Sequence, residues 1–219
     1  MSATRVDGLP RVPTFGEELA NSISHGLGLA LAVVGLPFLI QDALRQGGGV
    51  AVFSASVFGA TAILLYLAST LYHSVPHRRI KAMLLGLDYS AIYLFIAGTY
   101  TPIALGVVRG VWGWGLFAAI WTMALAGVIF KLIVGERFHR LSTLLYVAMG
   151  WTGLMAIEPL WRHMSASGLL WLLGGGLAYC IGVVFFMLQE RLRYAHFTWH
   201  LFVLGGTGCH FFAVLLHAS

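Results

Sequence analysis

Charge is what this 219-residue chain has least of: Asp, Glu, Lys and Arg make up 10% of it, against about 25% in ordinary soluble domains. That scarcity excludes a water-facing surface of normal extent, and no stretch is polar enough to form a separate soluble domain. Acids are scarcer still, eight against thirteen Lys and Arg, for a formal charge of +5. The basic residues sit in short loops between apolar runs, so they read as topology signals facing anionic lipid headgroups, and no nucleic-acid partner is expected. There are two cysteines, Cys180 and Cys209, both inside apolar segments, which points to buried packing residues and away from a disulfide or redox pair. No strand-like alternation and no ring of repeated charges marks a conduction path, which argues against a pore.

What the chain does have is apolar residues, 59% of the total, gathered into windows long enough to cross about 30 Å of hydrocarbon. The pattern predicts an all-α integral membrane protein, a bundle of seven transmembrane helices at about 19–40, 50–72, 82–105, 112–134, 141–160, 168–188 and 197–216. Residues 1–18, with Pro10 and Pro13, read as a short polar lead, disordered or lying on the surface, before a helical domain over 19–219. The first apolar run lacks a small-residue cleavage site before Gln41 and Asp42 and is read as a retained helix, not a signal peptide. Ten of the thirteen basic residues fall on the amino-terminal side of the membrane, which predicts a cytoplasmic amino end and an outer carboxyl end in the cell's inner (plasma) membrane. Frequent glycines, as in Gly174-Gly175-Gly176, suit close helix packing within one chain or between chains.

The polar residues inside these runs carry the chemistry. His196 and His200 open the last span four residues apart, on one helix face and about 6 Å apart along the axis, a spacing that lets both meet one metal ion. His73 ends the second span and Asp88 lies about two turns into the third, so all four share one leaflet. Asp88 is the one acid well inside an apolar run, at a cost of roughly 2.5–3.5 kcal/mol unless partnered. Three neutral imidazoles leave one position of a tetrahedral zinc open, as in catalytic sites. The assignment preferred here is therefore His73, His196 and His200 on zinc, with Asp88 receiving a hydrogen bond from the zinc-bound water. Ser69, one turn before His73, either serves the water or a substrate oxygen or bonds back to its own helix. Interfacial placement remains the competing reading for the three histidines. Glu18, Asn21, Ser22 and His25 form one polar stripe, a cap or a supporting network around the site. His25 and His210 lie deeper, and each either joins that polar network or is a packed histidine bonded to a neighbouring helix. Haem ligation through one of them is a remote further reading.

Glu18-x-x-Asn21-x-x-x-His25, Ser69-Thr-Leu-Tyr-His73, Leu87-Asp88-Tyr89-Ser90-Ala91-Ile92 and His196-x-x-x-His200 with His210-Phe211 together resemble the bacterial hemolysin III family. That family belongs with the adiponectin and progestin receptors, and more distantly the alkaline ceramidases, and the resemblance covers nearly the whole chain. It implies a zinc near the cytoplasmic face on the positions His73, His196 and His200, with Asp88 orienting the water and Ser69 completing the motif. Ala91 stands where the family pattern has glycine, which removes no ligand. The long amino-terminal region of the animal receptors has no counterpart here, so no hormone ligand is expected. The implied function is a zinc-dependent hydrolase of a lipid amide or ester, ceramidase-like, serving membrane lipid or energy homeostasis. The alternative is a lipid sensor in which zinc staples two helices. In both, the expected partner is a membrane lipid with a fatty acyl or ceramide-like body.

Overall fold

The computed structural model describes residues 11–46, 48–135 and 138–217. Among them there is no strand, and seven helical segments are long and apolar enough to cross a membrane. They are α1 (Phe15–Gln46), α2 (Gly49–Ser74), α3 (Arg78–Pro102) with a π-helical turn over Ile103–Val108, α4 (Gly110–Val134), α5 and α6 together, α7 (Ala166–Met187) and α8 (Ala195–His217). The fifth segment is broken, with α5 (His139–Trp151) passing through a 3₁₀ turn at Thr152–Ala156 into α6 (Ile157–His163). Large apolar side chains point outward on these spans; Val34, Ile133, Leu144 and Leu170 are each more than 60% exposed, which suits lipid and not water. The protein is a multi-pass helical membrane protein.

Two expectations about charged residues at helix ends are corrected by the structure. The first helix opens at Phe15, so Glu17 and Glu18, read as part of the polar lead, form its first turn, where carboxylates complement the helix dipole. Residues 1–10 of that lead lie outside the described residues. Lys131, counted with the loop bases, instead lies in the last turn of α4, 2% exposed, its Nζ 3.9 Å from the centre of the Tyr89 ring.

The helices neighbour one another in the order α4, α3, α2, α1, α8, α7, and the broken fifth span closes the ring against α3, α4 and α7. Proline explains the first irregularity: Pro102 ends α3, because it offers no N–H and disrupts the ladder one turn back, and the chain continues in a wider π turn. The second is held by a side chain. Tyr100 Oη donates to the Gly150 carbonyl (2.5 Å) and accepts from the Gly153 N–H (2.8 Å), so backbone groups freed by the break find partners where no water would supply them. Glycine permits a close crossing between α7 and α8. A β-carbon at Gly175 would strike the His210 ring and one at Gly206 the Tyr179 ring, so each helix seats the other's aromatic side chain.

Candidate metal centre

Three imidazoles converge near the amino-terminal end of α8. His73, in the last turn of α2, has its ring centre 5.0 Å from that of His196 and 5.1 Å from that of His200, and the latter two are 4.7 Å apart. One ligand nitrogen from each lies within 4.8 Å of the other two. His73 and His200 are buried and His196 is half-buried. The four-residue spacing in α8 points both rings one way, and α1, lying between α2 and α8, brings His73 to them.

The hydrogen bonds around the rings fix their tautomers. His73 Nδ1 donates to Glu18 Oε2 at 2.6 Å. His200 Nδ1 donates to the Asn21 carbonyl (3.1 Å) and to Ser24 Oγ (3.0 Å), whose own proton goes to the same carbonyl. His196 Nδ1 donates to Gln189 Oε1 at 2.6 Å. With the proton on Nδ1 in all three, each Nε2 carries a lone pair, the state a metal ligand needs, and each ring is held by an outer partner as metal-bound histidines usually are. His73 Nε2 is buried without a hydrogen-bond partner. A set of three imidazoles fits a divalent transition metal such as zinc, copper, iron or nickel.

The support comes largely from α1, which contributes no ligand of its own. Glu18 also accepts from Lys81 Nζ (2.9 Å). Glu17, buried, accepts from both Arg11 guanidinium nitrogens, from the Thr14 N–H and hydroxyl, and from the Tyr194 N–H. Arg11 also reaches the carbonyls of Gln189 and Leu192. Arg11 and Glu17 thereby pin the α7–α8 loop, including Tyr194 with its left-handed φ of 58°, and that loop carries the Gln189 that orients His196. Asn21 Nδ2 approaches His73 Nδ1 at 3.4 Å; with the Nδ1 proton given to Glu18, both atoms are donors and this is a contact, not a hydrogen bond. Asn21 serves the site through its carbonyl instead. Ser22, on the same expected stripe, turns outward to Ser74 (2.6 Å).

Asp88 and Ser69 lie together beside the histidines. Both are buried, and the Ser69 hydroxyl donates to the Asp88 carboxylate. Asp88, Ser69, His25, His196 and His200 line the polar end of a cavity of about 450 Å³ whose remaining wall is mostly aliphatic and aromatic. It extends between α3, the broken fifth span, α7 and α8 as far as Leu160, Trp161 and Leu169. His25 stacks flat on His200, ring centres 3.4 Å apart. His210 stands apart from the cluster: its ring packs on Tyr179 (5.3 Å) and bonds the Leu172 carbonyl, joining α8 to α7. Ser24 and Gln189 escaped the sequence reading. Ser24 carries a signal, since it falls seven residues after Glu17 and three after Asn21 on the inward face; Gln189, in a loop, carries none.

Comparison with known proteins agrees with this architecture. The family described as haemolysin-III related matches residues 14–211. Hemolysin-3 of Bacillus cereus is 47% identical over 201 residues, covering 92% of this chain and 91% of that protein. The hemolysin-3 homolog of Bacillus subtilis (strain 168) is 42% identical over 204 residues, covering 93% and 95%. The human monocyte to macrophage differentiation factor is 29% identical over 214 residues, covering 92% and 84%.

Proposed function

The chain belongs to the haemolysin-III-related family, and from that premise we propose that it is a zinc-dependent hydrolase of a membrane-lipid amide or ester, its site opening on the cytoplasmic leaflet of the inner membrane. The observation that carries this reading is the junction of three Nε2-presenting imidazoles with the Asp88–Ser69 pair at the polar end of an apolar cavity. A closed structural site would use four protein ligands; three leave a place for chemistry.

His73, His196 and His200 would hold the zinc through Nε2. Zinc in such a site supplies Lewis acidity toward an acyl carbonyl and brings the pKa of water to about 7. Asp88 accepts the proton of the attacking water and returns it to the leaving amine or alcohol. Ser69 holds the carboxylate through its donated hydrogen bond, and the cavity excludes bulk water while seating the lipid's chain. About 450 Å³ is within the usual range of small-ligand sites.

Purified protein is expected to carry about one zinc, and Asp88→Asn to keep that zinc while losing turnover, read as lipid product by mass spectrometry. Full activity in Asp88→Asn would remove Asp88 from the mechanism. A second reading, a sensor in which zinc ties α2 to α8, is favoured by ligands drawn from just those two helices; zinc bound with no lipid product from the wild type selects it. Carboxyl-terminal reporter fusions check the orientation: an enzyme active only outside the cytoplasm should work, and a cytoplasm-dependent fluorophore should stay dark.

A further inference from the structure

His25 is the buried ring that neither the ligand set nor its hydrogen-bond support employs. It is 3% exposed, lies parallel to His200 within 7° and meets the edge of Tyr66 at 5.1 Å. Neither of its nitrogens has a hydrogen-bond partner. Stacking and edge contact would be met equally by phenylalanine, which has no polar atoms to leave unpaired. An imidazole carries a donor and an acceptor whatever its tautomer, and burying both unpaired is costly unless something else supplies the partner.

The cavity is where that partner would lie, since His25 forms part of its wall. Other polar groups of the wall are already engaged: Ser69 with Asp88, His200 Nδ1 with Asn21 and Ser24, Tyr179 with Thr207, and His210 with Leu172. His25 is not among the nitrogens that converge for a metal; it lies face to face with one ligand instead. Resting on the lipid reading above, we propose that His25 is a ligand-binding residue whose ring nitrogen hydrogen-bonds an acyl carbonyl or carboxylate oxygen of a long-chain lipid seated in the cavity. His25 lines the same cavity as His196 and His200, so one oxygen-bearing head group would meet both.

Two substitutions separate this role from support of the metal. His25→Phe keeps the stacking and removes both nitrogens; His25→Gln restores a donor and an acceptor. Zinc-loaded protein in detergent is titrated with tritiated palmitate, and zinc content is measured on the same samples. His25→Phe should bind palmitate about tenfold more weakly, the scale of one lost buried hydrogen bond, with zinc unchanged, and His25→Gln should recover most of that loss. Wild-type palmitate affinity in His25→Phe overturns the proposal. So does loss of zinc from that variant, which would make His25 a support for His200. If zinc-loaded wild type binds no palmitate, the lipid reading of the site fails and takes this proposal with it.

Discussion

Glu18 divides its carboxylate between His73 Nδ1 and Lys81 Nζ, at 2.6 and 2.9 Å. The first contact keeps the proton on Nδ1 and leaves the unpartnered Nε2 with its lone pair, and the second offsets the charge of the acid. Outer partners of this kind are worth about 10–100-fold in metal affinity. Glu18→Ala should therefore weaken zinc binding by about that factor, measured by competition with a chromophoric chelator, while Lys81→Met should change it only a few-fold. Much at this scale was legible before any coordinates. The i, i+4 pair in α8 and the equal depth of His73 and Asp88 follow from helix geometry and hydropathy alone. Depth leaves rotation about each helix axis undetermined, so sequence could not separate Asn21 acting through its amide from Asn21 acting through its carbonyl. Nor could it find Gln189, whose contact with His196 depends on how a loop folds back.

At the scale of the element, the broken fifth span is the least sequence-legible feature. Hydropathy sees one run over 141–160, and the run has no proline at the break, where Thr152–Ala156 tightens into a 3₁₀ turn. What holds the break is Tyr100, on a different helix, and no local pattern reports a partner fifty residues away. Tyr100→Phe removes both hydrogen bonds and leaves the Gly150 carbonyl and the Gly153 N–H without that partner. A loss of about 1–3 kcal/mol is expected, read as a lower unfolding midpoint in detergent, with zinc content unchanged because the break is far from α8's opening turn. By contrast, the ends of the other spans were predictable within a turn or so, because loops here are short and charged. The exception is α1, which runs on to Gln46 instead of about 40, and whose two glutamates look like a solvated lead until their partners in the α7–α8 loop, α2 and α3 are known.

For the molecule as a whole, the three histidines bring α2 and α8 together, on either side of α1, while α3, the fifth span and α7 enclose the cavity. An ion bound only by the folded state stabilises it by mass action, about 2.7 kcal/mol at a free concentration one hundred times Kd. For a chain of this length that corresponds to roughly 5–10 °C. Chelation should lower the thermal midpoint of the wild type by about that much and leave a His73→Ala, His196→Ala, His200→Ala triple variant unmoved. An equal response in both would mean that the three histidines do not hold the stabilising ion. The same arrangement bears on biosynthesis. Glu18 leaves the ribosome well before His200, with six membrane insertions between them. A nascent chain stalled before α8 owns one of the three ligands, with Asn21, Ser24 and Gln189 made but idle, and so has no three-point grip on an ion. Capture of an ion by this set of histidines would thereby be deferred until α8 has joined the other spans.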